Sequence, residues 1–314
     1  MIGFLFGEIQ LQWTLKIKSE IIQTMVVANR VLESRLPTEA EPCIIIQDDA
    51  LNALGQYADN SFQCCVTSPP YWGLRDYGIK NQIGAEMAVT DYIDNLVLVF
   101  REVFRVMTLD GTLWLNIGDS YTSGGRTWRD SDKKNRGRGM SYRAPTPEGL
   151  KPKDLIGVPW RLAFALQADG WHLRSDIIWH KPNCQPESVK DRPTRAHEYL
   201  FLLTKSEKYY YDPDAIGETT TDGNGYKNKR SVWSINTTPF KDAHFAVFPS
   251  ALVKPCILAG SKEQSTVLDP FFGSGTVGEV CIETDRKCVG IELNPDYIKI
   301  AKKRISQANL SFRY

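Results

Sequence analysis

The sequence lacks the features that mark several common protein classes. Its 314 residues contain no apolar run near the ~20 residues that a membrane-spanning helix requires. Its seven cysteines are odd in number and irregularly spaced, and they form neither a disulfide framework nor the paired pattern of a zinc site. The apolar stretch at residues 2–6 is too short for a signal peptide. These absences predict a cytoplasmic protein without a membrane segment or a bound metal.

The chain also lacks a large net charge, which is +1 overall, but its charges are unevenly placed. Residues 126–153 contain nine Lys or Arg and three Asp or Glu, together with Trp128 and Tyr142. Such a segment is either a solvated loop or a segment that contacts nucleic-acid phosphates, since clustered cations neutralise phosphates whatever the base sequence. The second interpretation gives candidate DNA-binding residues here and in a basic-aromatic patch further on: Arg126, Lys133, Lys134, Arg136, Arg138, Lys227, Lys229 and Arg230.

From Cys43 onward, short apolar runs alternate with stretches of helical periodicity. We predict strands at 43–47, 62–66, 112–117, 175–179, 198–204, 208–212, 265–268 and 287–292, and helices at 91–107, 155–168, 244–259, from 276, and at 295–307. A turn is expected at Asp110-Gly111. The alternation predicts an α/β fold with a mainly parallel, doubly wound sheet covered on both faces.

Long irregular segments interrupt this alternation at about 118–153 and 212–240, and both are too long to be idle connections. They are therefore candidate insertions for target recognition. Residues 1–42 do not fit the alternating pattern and are expected to be an extension of unclear role. The rest of the chain, 43–314, is expected to form a single domain.

Residues 267–276, VLDPFFGSGT, predict a strand, a glycine turn and a helix. Gly273 and Gly275 permit positive φ and close approach of backbone to a ligand at the carboxyl end of the strand. With Gly278 they also form the string G-x-G-x-x-G of dinucleotide sites. However, Asp269 precedes the turn, and its carboxylate suits a sulfonium or ammonium group better than a phosphate. Glu292 ends the next strand, where a carboxylate can accept both hydroxyls of a ribose.

Residues 68–71, SPPY, follow another buried strand. An aromatic amine is a poor nucleophile because its lone pair is delocalised, and acceptors beside its hydrogens make the lone pair available. The Ser68 hydroxyl and the Pro69 carbonyl can be those acceptors, with Pro70 restricting the backbone. Tyr71 offers a ring on which a base rotated out of the duplex can stack. The structural alternative is a simple Pro-Pro turn.

TSPPY at 67–71 and DPFFGSGT at 269–276 together resemble the two motifs of the β-class DNA amino-methyltransferases, and the resemblance extends from about Ile44 to Arg304. It implies a Rossmann-like methyltransferase sheet with circularly permuted motif order and inserted DNA-recognition segments. It also implies S-adenosylmethionine as cofactor, double-stranded DNA as partner, and a functional link to a restriction endonuclease. Catalytic residues would be Ser68, Pro69, Pro70 and Tyr71, and cofactor-binding residues Asp49, Asp269, Pro270, Phe271, Gly273, Ser274, Gly275, Thr276 and Glu292.

Within this family Asp49 resembles the acidic residue that meets the adenine amino group, although Asp48 or Asp49 could instead cap the following helix. Serine before Pro-Pro-aromatic resembles the cytosine-N4 enzymes more than the adenine-N6 enzymes. The expected activity is therefore site-specific methylation of the N4 amino group of a flipped cytosine. Adenine N6 is the alternative acceptor. A dinucleotide-dependent oxidoreductase is a more distant alternative, and it leaves SPPY unexplained.

Overall fold

The computed structural model describes residues 36–74, 82–122, 144–220, 223, 225–238 and 248–312. Five of the candidate DNA-binding residues lie outside these ranges: Arg126, Lys133, Lys134, Arg136 and Arg138. Residues Leu36–Tyr314 form one compact unit. Among the helices described, none is long and apolar enough to cross a lipid bilayer.

Ten strands and six α-helices are described in this unit. The strands are β1 Cys43–Ile46, β2 Phe62–Thr67, β3 Met107–Ile117, β4 His172–His180, β5 His197–Thr204, β6 Glu218–Thr219, β7 Tyr226–Lys227, β8 Val232–Ser234, β9 Thr266–Asp269 and β10 Lys287–Ile291. The helices are α1 Ala50–Leu54, α2 Val89–Val106, α3 Val158–Ala168, α4 Ser250–Gly260, α5 Thr276–Glu283 and α6 Pro295–Phe312.

Eight strands form one sheet in the order β1-β10-β9-β2-β3-β5-β4-β8, and β6 and β7 form a separate hairpin. The first five strands in this order run parallel to one another, and β8 runs parallel to β4. Strand β5 runs antiparallel to both of its neighbours. The predicted α/β fold with a mainly parallel sheet is confirmed.

Both faces of the sheet are covered, as near-continuous apolar strands require. In β3, Trp114 belongs to one buried cluster and its neighbours Leu113 and Leu115 to the other, because successive side chains point to opposite faces. Helices α1, α2 and α3 pack on the Leu113 face, and α4, α5 and α6 on the Trp114 face. Helix α2 can cover a sheet face because its buried residues recur at three- and four-residue intervals and so form one apolar stripe.

One predicted strand limit and one predicted strand were wrong, and backbone hydrogen bonding explains both. Strand β3 begins at Met107, and the expected turn at Asp110-Gly111 is instead an irregularity in its register with β2. Residues 208–212 form no strand, because their backbone bonds to two different elements. The Tyr210 N–H donates to the Asp110 carbonyl at 2.9 Å, and the Asp212 N–H donates to the Ala259 carbonyl at 2.9 Å.

Other departures concern helix limits and the second irregular segment. Helix α4 begins at Ser250, after the extended Pro249, rather than at 244, and residues 244–247 lie outside the described ranges. Helix α6 continues to Phe312, beyond the predicted end at 307. The segment 212–240 contains a short hairpin and strand β8, which joins the main sheet beside β4, so it is not irregular throughout.

The parallel strands bring the sequence motifs to one edge of the sheet. The carboxyl ends of β1, β10, β9, β2 and β3 lie side by side there. Consequently Asp49, Glu292, Asp269, Ser68 and Gly118 follow or end neighbouring strands at the same edge. This is the edge at which open α/β sheets bind their ligands.

Candidate active site

A direct hydrogen bond joins the two sequence motifs. The Thr67 hydroxyl, at the end of β2, donates to Asp269 Oδ1 at the end of β9 over 2.6 Å. Strands β2 and β9 are parallel neighbours with Cys65 paired to Leu268, and this register brings their ends together. Two segments that are 202 positions apart in sequence are thus held in contact.

Asp269 is a fully buried carboxylate with unequal oxygens. Oδ1 accepts from Thr67 and, at 3.1 Å, from the Phe271 N–H, whereas Oδ2 is buried without a hydrogen-bond partner among the described residues. Burial raises the pKa of Asp269 to about 7, and the hydrogen bonds from Thr67 and Phe271 oppose this shift. A buried oxygen without a partner fits a cationic ligand group at this point.

The glycine turn has the predicted backbone. Gly273 and Gly275 have φ of 51° and 82°, which is the left-handed region that side chains disfavour. Gly275 is also sterically required, since a Cβ there would lie 2.9 Å from Ala301 Cβ. The turn begins at Phe272, whose carbonyl accepts from the Gly275 N–H at 2.9 Å and whose ring packs so closely on Gly290 that a Cβ at 290 would lie 2.3 Å from it.

Glu292 follows β10 beside this turn. Its Oε2 accepts from the Gly273 N–H at 2.8 Å, and its Oε1 accepts from the Asn294 N–H at 2.7 Å. Its own N–H donates to the Ile46 carbonyl on β1 at 3.0 Å. Burial raises the pKa of Glu292, partly offset by the backbone donors. The side chain is therefore fixed at the edge that the sequence predicted.

Asp49 is the N-cap of α1. Its Oδ1 accepts from the N–H groups of Leu51 at 2.9 Å and Asn52 at 3.4 Å, and its backbone is extended at the helix start. The capping interpretation is therefore correct for Asp49. Asp48 accepts from the Asp49 N–H at 2.7 Å and does not cap the helix. Capping by one oxygen of Asp49 is compatible with a ligand contact by the other.

The remaining cofactor candidates differ in what they face. Pro270 is buried, and Phe271 is half-buried with its ring 6.4 Å from that of Phe100. The hydroxyls of Ser274 and Thr276 are buried and face α6, where Arg304 Nη1 donates to Thr276 at 2.9 Å and to Ser274 at 3.5 Å. These two hydroxyls therefore connect the glycine turn and the first residue of α5 to α6.

Residues 68–71, here called the acceptor motif, are fixed by Tyr92 of α2, whose hydroxyl donates to the Pro70 carbonyl at 2.8 Å. Pro69 is buried, and no hydrogen bond to its carbonyl is formed by any described residue. The half-buried Ser68 hydroxyl lies 3.5 Å from the Tyr71 hydroxyl. Ser68 and the Pro69 carbonyl thus retain acceptor capacity.

Tyr71 is anchored by its hydroxyl. It donates to Glu198 Oε2 at 2.8 Å, and Asn116 Oδ1 lies 3.3 Å away. Burial, followed by the charge of Glu198, raises the pKa of Tyr71 well above its usual value. One ring edge packs on Gly118, where a Cβ would lie 2.7 Å from Tyr71 Cε2. The ring therefore has a fixed orientation at the edge of the sheet.

A polar group behind Tyr71 was not predicted from the sequence. Glu198 pairs with Lys181 through Oε1, and Asn116 Nδ2 donates to Glu198 Oε2 at 3.3 Å and to the Tyr199 carbonyl at 3.0 Å. Lys181 also lies over the Trp179 ring, 4.1 Å from its centre. The signals available in the sequence were a charged residue near the start of the largely apolar strand β5 and an asparagine near the end of buried β3.

The second basic patch is partly neutralised. Arg230 Nε donates to Glu218 Oε2 at 2.9 Å, and Lys229 Nζ lies 3.8 Å from Glu218 Oε1 and 5.2 Å from the centre of the Trp233 ring. Lys227 is the register partner of the same glutamate in the β6–β7 hairpin. This patch lies at the amino end of β8, which runs in the same direction as β2 and β3. It is therefore at the edge of the sheet opposite to the one that holds Ser68 and Tyr71.

A mainly parallel sheet with both motifs at one edge is the arrangement expected of an α/β methyltransferase. Consistently, the model of the DNA methylase family for N6 and N4 amino groups matches residues 62–303, so the chain belongs to that family of DNA amino-methyltransferases. It is 65% identical over 274 residues to "Type II methyltransferase M.SmaI" of Serratia marcescens, covering 87% of this chain and 94% of the relative. It is 61% identical over 269 residues to M.Cfr9I of Citrobacter freundii, covering 86% and 89%.

Solved structures show the same fold at lower identity. The "PVUII DNA METHYLTRANSFERASE (CYTOSINE-N4-SPECIFIC)" superposes with a TM-score of 0.65 at 18% identity, covering 89% of this chain and 94% of that one. The putative DNA modification methylase TTHA0409 of Thermus thermophilus, titled as a complex with S-adenosyl-L-methionine, gives a TM-score of 0.57 at 23% identity and covers 85% and 95%.

Proposed function

We propose that this enzyme transfers a methyl group from S-adenosylmethionine to the N4 amino group of a cytosine within a short specific sequence of double-stranded DNA. The observation that carries the proposal is the Thr67–Asp269 hydrogen bond of 2.6 Å. Thr67 directly precedes the acceptor motif, and Asp269 is the first residue of the cofactor motif at 269–276. The bond therefore keeps the acceptor motif beside the buried carboxylate of Asp269. A methyl donor and a base amine held at these two motifs would be in contact, and such positioning supplies much of the rate of a direct transfer.

The negative charges beside the cofactor motif support S-adenosylmethionine over a dinucleotide as the ligand. Asp269 and Glu292 are both carboxylates, which attract an ammonium or sulfonium group and repel a pyrophosphate. In addition, the Gly273 N–H already donates to Glu292 and is withdrawn from the role that such groups play in phosphate binding. In this proposal Asp269 Oδ2 accepts from the ammonium group, Glu292 accepts from the ribose, and Asp49 Oδ2 accepts from the adenine amine.

At the acceptor end, the Ser68 hydroxyl and the Pro69 carbonyl would accept the two amine hydrogens. These acceptors become more favourable as the nitrogen becomes tetrahedral, so they stabilise the transition state more than the bound substrate. The Tyr71 ring, fixed by Glu198 and Gly118, would stack on the extruded base. Base identity rests on serine at position 68, since likeness to the PvuII enzyme at 18% identity shows the fold alone.

The relatives named as Type II methyltransferases are 65% and 61% identical over most of both chains. We therefore propose that this chain is likewise the modification enzyme of a Type II restriction system, functionally linked to an endonuclease. The basic stretch at 126–138 and the cations Lys227, Lys229 and Arg230 are proposed to contact phosphates. Arg230 is the most exposed of the last three, with 75% of its side chain accessible, although it is paired with Glu218.

The experiment that tests this function is methyl transfer in vitro. Purified protein is incubated with unmethylated plasmid DNA and S-adenosylmethionine labelled in the methyl group, and the DNA is hydrolysed to nucleosides. Label in N4-methyl-2′-deoxycytidine supports the proposal, whereas label in N6-methyl-2′-deoxyadenosine would assign the alternative base. Binding of NAD in place of S-adenosylmethionine, without label in DNA, would contradict the methyltransferase mechanism itself.

A further inference from the structure

A chain of hydrogen bonds leads from the acceptor motif into the protein. Ser68 Oγ is oriented to donate to Tyr71 Oη at 3.5 Å, Tyr71 Oη donates to Glu198 Oε2 at 2.8 Å, and Lys181 binds the other oxygen of Glu198. Among the described residues, Glu198 is the only carboxylate that hydrogen-bonds to any of residues 68–71. The proposed function uses this carboxylate only to orient the Tyr71 ring, and it names no acceptor for the proton that the amine must lose.

Amine methylation requires a proton acceptor. The nitrogen attacks the methyl carbon, a C–N bond forms, the C–S bond breaks, and its electron pair remains on sulfur. The nitrogen then carries a positive charge and must lose one hydrogen as a proton to give a neutral methylated base. A serine hydroxyl cannot retain that proton, because a protonated hydroxyl is a strong acid. An acceptor motif with serine instead of aspartate therefore needs a base elsewhere.

We propose that Glu198 is the terminal proton acceptor of the methyl transfer, reached through Ser68 and Tyr71. The amine proton passes to Ser68 Oγ, the serine proton passes to Tyr71 Oη, and the tyrosine proton passes to Glu198 Oε2. Both hydroxyls end the step neutral, and Glu198 ends it protonated. The inference rests on the proposed function in one respect, which is that the methyl acceptor is an exocyclic amine.

The surroundings of Glu198 suit this role. Lys181 stabilises the ionised carboxylate before the reaction, and both side chains are mostly shielded from water, at 16% and 18% exposure. Asn116 Nδ2 donates to both Glu198 Oε2 and the Tyr199 carbonyl, which fixes the oxygen that faces Tyr71. The remaining exposure of Glu198 allows its proton to pass to solvent after the transfer.

The decisive variant is Tyr71→Phe, which keeps the ring and removes the hydroxyl between Ser68 and Glu198. Binding of DNA and of S-adenosylmethionine should stay within about twofold, because stacking depends on the ring. The single-turnover rate should fall about 100-fold, which is the lower range of general-base contributions. The unmodified enzyme should show a solvent deuterium effect with a curved proton inventory, from several protons in motion. This curvature should disappear in the variant.

A second variant keeps the inference testable if removal of the hydroxyl disturbs folding. Glu198→Gln combined with Lys181→Met leaves no unpaired buried charge and should also slow transfer about 100-fold. The matched control is Glu102→Gln, which removes a carboxylate from the ion pair with Arg105 on α2, away from the acceptor motif, and should leave the rate unchanged.

The outcomes separate the two proposals. Transfer by Tyr71→Phe at the unmodified rate with an unchanged proton inventory would overturn the proton path, even if N4-methylcytosine is formed. An unmodified enzyme that methylates no exocyclic amine would instead contradict the proposed function.

Discussion

At the scale of single residues, the acid–base state of Asp269 links the fold to the cofactor. Its folded-state pKa of about 7 lies above the ordinary value of 3.8. A raised pKa means that the protonated carboxyl favours the folded protein at low pH, and that this contribution is lost as the pH rises through about 7. A cationic ligand has the opposite preference, since it binds the ionised form.

We therefore predict that affinity for S-adenosylmethionine increases as the pH is raised from about 6 to about 8, because Asp269 ionises over that interval. Asp269→Asn should weaken binding about tenfold to 100-fold and flatten this pH dependence. Isothermal titration calorimetry at several pH values measures both effects. Asp285→Asn, on an exposed turn, is the matched control. An unchanged pH dependence in Asp269→Asn would show that this carboxyl does not meet the cation.

Ser68 gives the second prediction at this scale. Ser68→Ala removes an acceptor that matters most as the amine becomes tetrahedral, so the transfer rate should fall at least about tenfold while DNA affinity changes little. Single-turnover kinetics and a DNA-binding titration separate the two quantities. Ser61→Ala, which removes a hydroxyl bonded to the Ala58 carbonyl, serves as control. A normal rate in Ser68→Ala would place the acceptor site elsewhere.

At the scale of elements, Asp49 belongs both to the start of α1 and to the ligand-binding edge of the sheet. Oδ1 caps the helix, and no described residue donates to Oδ2. A substitution that keeps the cap and shortens the side chain can therefore separate stability from ligand binding.

We predict that Asp49→Ser retains the stability of the protein and weakens S-adenosylmethionine binding, whereas Asp49→Ala also loses about 1 kcal/mol of unfolding free energy. Chemical denaturation and ligand titration measure the two effects independently. If Asp49→Ser binds the cofactor as tightly as the unmodified chain, Asp49 is a helix cap and nothing more.

Elements were predicted well where a single pattern decides them. Strand β2 and helix α2 have strong periodicity and appear within about two residues of their predicted limits. Residues 208–212 have the composition of a strand, but their backbone bonds to Asp110 and Ala259, which depends on tertiary contacts. Strand β8 was hidden because three residues are too short to show a period.

The same distinction applies to the site. Gly275 and Glu292 were predictable because local turn chemistry and strand ends determine their places. Glu198 was missed because its role depends on the antiparallel pairing of β5 with β3, which brings it next to Tyr71 across 127 residues. No local sequence pattern encodes that contact.

At the scale of the whole molecule, near-neutral net charge means that DNA binding must depend on a localised basic segment. We predict that reversing Lys133, Lys134 and Arg136 to glutamate weakens DNA binding at low salt and flattens its salt dependence, because fewer counterions are released. Cofactor affinity should stay the same. Fluorescence anisotropy across a salt series measures the slope, with Lys299→Glu on α6 as a single charge-reversal control. An unchanged salt dependence of DNA affinity in the triple variant would indicate that this segment is a solvated loop that does not contact DNA.

In the proposed reaction, one edge of the sheet brings a methyl donor to the exocyclic amine of cytosine. The most direct measurement is nucleoside mass spectrometry of plasmid DNA from cells that express the chain, compared with cells that express Asp269→Asn together with Ser68→Ala. We predict N4-methylcytosine in the first sample and none in the second. N6-methyladenine alone would contradict the assigned base, and the absence of any methylated amine in the first sample would contradict the proposed methyltransferase activity.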